Sequence, residues 1–217
     1  MASMRFRDWA ELDTAERTQL SESSLEFARK LEPRLKAFVE FESGAGSPAR
    51  GVLHAMPYAA KDIFVSATRL PHGGLAQPLP MERLPRATVL DLLDRAGARR
   101  IGYTTMTEFA YEPSGYNATH GAPKNPWNFD FITGGSSSGS AVAVASGSTV
   151  FAFGSDTGGS LRIPAHCCGL TSWKPTFGAV PLAGAMPLSP SLDTVGILAR
   201  SASDLRDPPH PIRRTRS

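Results

Sequence analysis

Two serine-bearing loops and one lysine are the residues of this 217-residue chain whose types and spacing could do chemistry. The first loop reads Gly134-Gly135-Ser136-Ser137-Ser138-Gly139. The second reads Asp156-Thr157-Gly158-Gly159-Ser160, and a run of small apolar residues lies between them. Glycine reaches backbone conformations that other residues avoid, so such loops can turn several N–H groups toward one point. A serine there can be a nucleophile with its oxyanion donors already beside it. It also needs a base, and neither loop contains a histidine. A lysine stands upstream, in the apolar stretch Pro57-Tyr58-Ala59-Ala60-Lys61-Asp62-Ile63-Phe64. Ser136 follows Lys61 by 75 residues, and Ser160 follows Ser136 by 24.

Two other readings of these loops are weaker. Gly135-Ser136-Ser137-Ser138-Gly139 fits the nucleophile elbow G-x-S-x-G, which needs an acid and then a histidine downstream. Only His166, in the second loop region, and His210, near the end of the chain, are available for that role. A phosphate loop would need Gly-Lys followed by Ser or Thr, and the chain has none. His54, His72 and His120 are scattered without metal-ligand spacing and read as structural, so no metal is expected.

From about Gly51 to Asp204 the chain resembles the amidase signature enzymes. The resemblance rests on an ordered set of motifs: Lys61-Asp62, Met106-Thr107-Glu108-Phe109, Asn125-Pro126-Trp127-Asn128, the two serine loops, Lys174-Pro175-Thr176 and Ser191-Leu192-Asp193. It implies a hydrolase that cleaves a small-molecule carboxamide through an acyl-enzyme, with no cofactor and no metal. In that scheme Ser160 is the nucleophile, Ser136 a bridging serine preceded by a cis peptide bond, and Lys61 the base. Lysine can serve only if burial lowers its pKa from about 10.4 toward neutrality. The N–H groups of Thr157, Gly158, Gly159 and Ser160 would form the oxyanion hole, with Asp156 and Arg162 supporting the loop. Ser137 either bonds near Lys61 or caps the following helix, and the sequence leaves both open. The alternative within the family is the amidase subunit of a glutamine-dependent tRNA amidotransferase, which works with partner subunits. Ile63, Tyr103 and the pair Ser172-Trp173 stand where the family commonly has Asn, Lys and Gly-Leu. These departures favour a stand-alone amidase.

The elements that must position these residues are legible in part. Residues 13–41 carry apolar residues at helical spacing, interrupted by Pro33, and predict a helix. Residues 43–50 predict a linker and residues 53–64 a strand and loop that delivers Lys61. A helix is predicted over 88–96, stopped by Gly97, and a buried strand over 101–105. A loop-rich stretch at 110–133 precedes a small-residue helix at 138–146 and an apolar strand at 150–154. Strands alternating with helices predict an α/β fold, and the resemblance implies a mixed β-sheet core with helices on both sides. The expected division is a helical segment and linker over 1–50, a partial amidase domain over 51–205, and a disordered Pro/Arg tail over 206–217. Family members are usually about twice this length, so the C-terminal half is expected to be missing, and an inactive fragment is a third reading.

Composition excludes several function classes. Hydrophobic residues make up 41% of the chain and charged residues 20%, as in a globular domain. The net charge of +3 is mild and several of its arginines lie near the end, so no nucleic-acid surface is expected. No run of 18 apolar residues predicts a membrane span, and the N-terminal residues lack the apolar region of a secretory signal. A cytoplasmic location is expected, with the adjacent Cys167 and Cys168 as reduced thiols. Either a homo-oligomer or partner subunits would fit.

Overall fold

The computed structural model describes residues 5–42 and 51–206. The linker expected at 43–50 and the tail residues 207–217 lie outside the described residues. Six strands form one mixed sheet: β1 (Phe38–Phe41), β2 (Pro57–Lys61), β3 (Arg99–Thr104), β4 (Phe151–Asp156), β5 (Thr171–Trp173) and β6 (Thr194–Ala199). Six helices accompany them: α1 (Phe6–Glu11), α2 (Thr14–Leu35), α3 (Thr88–Arg95), α4 (Ser138–Ala145), α5 (Arg162–Cys167) and α6 (Ala202–Arg206). The strand order is β1-β3-β2-β4-β6-β5. β2 runs parallel to both β3 and β4, and the remaining pairs are antiparallel. Lys61, Thr104 and Asp156 therefore end three parallel strands at the same edge of the sheet. Open α/β sheets bind ligands at that edge.

The two faces of the sheet are built differently. Successive side chains of a strand point to opposite faces. On β4, Phe151 and Phe153 join one apolar cluster and Ala152 the other. The first cluster is large and aromatic. Tyr58 stacks on Phe151 with ring centroids 5.3 Å apart, Phe153 meets Phe151 edge-on, and Val89, Leu90 and Leu93 of α3 cover them. Each such side chain, fully buried, stabilises the fold by about 1.5–3 kcal/mol. The second cluster is made of small residues. Ala59 and Ala152 meet Ala141 to Val144 of α4, with Leu25 and Ala28 of α2 behind.

Small residues let α4 lie close to the strands. A Cβ on Gly139 would fall 2.2 Å from the Ala37 carbonyl oxygen and 2.7 Å from the Thr105 backbone, so only glycine fits there. Ser140 fixes the helix to the sheet: its hydroxyl donates to the Phe153 carbonyl at 2.9 Å and lies 2.7 Å from the Thr104 hydroxyl.

The helix expected over 13–41 is a helix followed by a strand. Lys36 takes a left-handed conformation at φ 52° and ends α2, with its N–H bonded to the Glu32 carbonyl. The Glu32 carboxylate then accepts the N–H groups of Ala37 and Phe38, each at 3.0 Å, and holds the turn. Phe38 and Val39, within the span read as a helix, lie instead on β1, which pairs with β3. Pro33 sits inside α2 without ending it. The other predicted elements are present with ends shifted by a residue or two, while α1, α5, β5, β6 and α6 had not been anticipated.

Candidate active site

Lys61 is the last residue of a strand buried along its whole length. Its side chain is fully enclosed, and its Nζ donates to the Ser136 hydroxyl at 2.6 Å and to the Ser155 hydroxyl at 2.9 Å. Burial pushes the amine down to about 7, against the pull of the carboxylates of Asp156 and Asp193. The apolar setting read from the sequence thus has the expected electrical consequence: an amine poised to exist uncharged at neutral pH. Ser136 enters α4 from the first loop, and the Gly135–Ser136 peptide is cis. Thr107, from the Met-Thr-Glu-Phe motif, holds the Ser136 carbonyl through its own N–H at 3.3 Å.

The second loop follows directly from β4. Among the described residues, the backbone N–H groups of Thr157, Gly158, Gly159 and Ser160 have no hydrogen-bond acceptor. Four consecutive uncommitted donors on a loop form a concavity suited to an anion. Gly159 takes φ +140°, which disfavours any residue with a Cβ. Gly158 differs: a Cβ there would meet nothing within 4 Å, so this glycine borders open space. The Ser137 N–H donates to the Ser160 carbonyl at 3.2 Å and joins the two loops. Ser160 itself is half-buried, and its hydroxyl stands outside the hydrogen-bonded set that links Ser155, Lys61 and Ser136.

Two carboxylates hold this loop. Asp156 is buried and accepts from Arg162 Nε at 3.0 Å and Nη2 at 2.8 Å, and from the N–H groups of Leu161 and Arg162. Burial alone would raise its pKa, but these donors hold it below the usual carboxylate value. Asp156 and Arg162 thus form a clamp on the entry to α5. Asp193 accepts from the Thr157 hydroxyl at 2.5 Å and from the N–H groups of Leu188 and Ser189. It pins the second loop to the 188–193 segment.

Ser137 stands at the N-cap position of α4 but makes no side-chain cap bond. Its hydroxyl donates to the Ser155 carbonyl at 3.3 Å, one residue step from the lysine. Ser155 and the role of Asp193 were missed by sequence reasoning. Asp193 lay within a motif already singled out, but nothing local marked Ser155. The Asn125 amide donates to the carbonyls of Ile132 and Cys167, so that motif clamps loops behind the site. His120 lies 3.1 Å from the Leu75 carbonyl, as a structural histidine would. Among the described residues no group of three His, Cys, Asp or Glu could hold a metal, and no helix is long and apolar enough to cross a membrane.

Comparison with known proteins gives a consistent picture. A family model described as Amidase matches residues 17–208. Amidase 1 of Arabidopsis thaliana is 44% identical over 156 residues, which cover 71% of this chain and 37% of that protein. A glutamyl-tRNA(Gln) amidotransferase subunit of Marinomonas sp. is 42% identical over 174 residues, covering 80% of this chain and 35% of the relative. The solved peptide amidase of Stenotrophomonas maltophilia superposes with a TM-score of 0.88 at 31% identity, over 100% of this chain and 49% of that one. The chain spans about a third to a half of the length of the relatives it matches.

Proposed function

The chain belongs to the amidase family, the amidase-signature hydrolases, and from that premise we propose that it is the catalytic part of a serine amidase. The reaction would hydrolyse a carboxamide C–N bond to a carboxylate and ammonia or an amine. The observation that carries this reading is the 2.6 Å contact between the buried Lys61 amine and the Ser136 hydroxyl. With the lysine neutral, the Ser136 hydroxyl donates to its lone pair. Ser136 then accepts the proton of Ser160 as the Ser160 oxygen attacks the amide carbon. The N–H groups of residues 157–160 receive the negative charge that develops on the carbonyl oxygen. The relayed proton passes to the departing nitrogen as the C–N bond breaks. Water, deprotonated along the same relay, hydrolyses the acyl-Ser160 ester and restores the serine. No step calls for a metal or cofactor. The neighbouring thiols Cys167 and Cys168, both free, support a cytoplasmic setting.

A fluorophosphonate probe followed by peptide mapping tests the assignment. Ser160 should carry the label, and Lys61→Ala should suppress it. A label on Ser137 would instead favour the elbow reading and refute this one.

Similarity to the amidotransferase relative favours a second reading, in which the same chemistry releases ammonia from glutamine for a partner subunit. Copurification with partner subunits, together with ammonia release restricted to glutamine, would select it. Labelling of Ser160 without turnover would identify these residues as a catalytic half that needs a further segment.

A further inference from the structure

A cavity of about 110 Å³ adjoins the site. Its polar edge is Ser155, bonded to Lys61, and Thr157, the first of the uncommitted N–H donors. Ile63, Leu182, Met186 and Val195 form apolar walls. No lysine, arginine or histidine lines it, and its one acid is Asp193. Both oxygens of that acid are occupied. Oδ1 accepts from the Thr157 hydroxyl and the Ser189 N–H, and Oδ2 from the N–H groups of Leu188 and Ser189. A carboxylate entering this cavity would meet no cation and would face the charge of Asp193, and an ammonium would have to compete for an acid whose two oxygens already accept hydrogen bonds. Burying a charge without a partner is strongly unfavourable.

Resting on the serine-amidase reading above, we propose that the cavity receives the acyl side chain of the substrate, and that this side chain is an uncharged, compact hydrocarbon. An apolar cavity of about 150 Å³ takes up benzene, so the smaller one here suits a branched group of about four or five carbons. Glutamine, which carries an ammonium and a carboxylate on its acyl side, does not match it. Ile63, which follows the lysine by two residues, contributes an apolar wall to the cavity.

Three fluorophosphonates of similar size test the proposal, bearing isobutyl, aminopropyl or carboxyethyl on phosphorus. The isobutyl probe should label Ser160 about tenfold faster or more, since the carboxyethyl probe must bury a charge that no cation meets and the aminopropyl probe must be desolvated beside an acid already held by hydrogen bonds. Leu182→Phe fills the cavity from a half-buried loop position. It should slow the isobutyl probe more than either charged probe, so that the three rates converge. Ala185→Leu is a second filling variant, and a melting curve on each identifies one that folds. Equal rates on the native chain, or a preference that survives filling, would overturn the cavity assignment while labelled Ser160 leaves the amidase reading standing. No label on Ser160 from any probe would remove both.

Discussion

On the serine-amidase reading, Lys61 would couple activity to stability through a single proton. Its pKa falls on folding from 10.5 to about 7 because burial disfavours the ammonium. Between those two values the unfolded chain binds more protons than the folded one, so stability rises with pH across that window. Below about pH 7 the cost of burying this group is fully present. Activity should rise with pH through about 7 as the amine becomes neutral, and a pH–rate profile measures it. Lys61→Ala should lower turnover by about 10²–10⁴-fold, with a smaller loss for Ser136→Ala. Lys61→Met should abolish activity yet raise the melting temperature at pH 6, and a lower melting temperature would contradict the buried-base account. At this scale the sequence was informative where spacing was sufficient: Lys61, Ser136 and Ser160 stood out without a structure. Ser155 did not, because its contact with Lys61 arises from β2–β4 pairing across 94 residues. A serine on a strand has no local mark when its partner comes from so far away.

At the scale of elements, the two glycines of the second loop have different tasks. Gly159 holds φ +140°, so Gly159→Ala should destabilise the fold by about 1–3 kcal/mol. Gly158 faces open space, so Gly158→Ala should leave stability within about 0.5 kcal/mol of the native chain. Denaturant titration of both variants checks the pair, and equal losses would show that the loop is wrongly described. The strand delivering Lys61 and the helix following Ser136 were legible from apolar runs and small-residue content. The boundary between α2 and β1 was not. Phe38 satisfies a helical period and a strand period alike, and the decision came from Lys36 turning left-handed and Glu32 capping the turn, both tertiary outcomes. β5 and α6, of three and five residues, are too short to show any period.

For the whole molecule, the sheet is the relevant object. Its order closes on β5, a three-residue strand paired on one side only by β6. Several large apolar side chains are exposed, among them Trp127 at 71%, Phe177 at 56% and Leu192 at 58%. An unpaired edge together with exposed apolar surface favours association. Light scattering should show a mass that rises with concentration above the 23.2 kDa of one chain. A constant monomer mass with cooperative unfolding would show that this sheet is self-sufficient. The α/β class was legible from alternating strands and helices, and the mixed sheet with helices on both sides only through the family resemblance. The opposite characters of its two faces, aromatic against small, could be seen only once the register of β4 was known.

The four uncommitted N–H groups of the second loop have a consequence for isotope exchange. Amides of β2 and β4, bonded on both sides in the middle of the sheet, exchange with deuterated water only when the fold opens widely. Residues 157–160 follow β4 directly, yet among the described residues their N–H groups have no hydrogen-bond acceptor. Deuterium uptake should therefore change from slow to immediate within a few residues of Asp156. If those donors receive the oxyanion as proposed, phosphonylation at Ser160 should convert that short fast segment into a slow one.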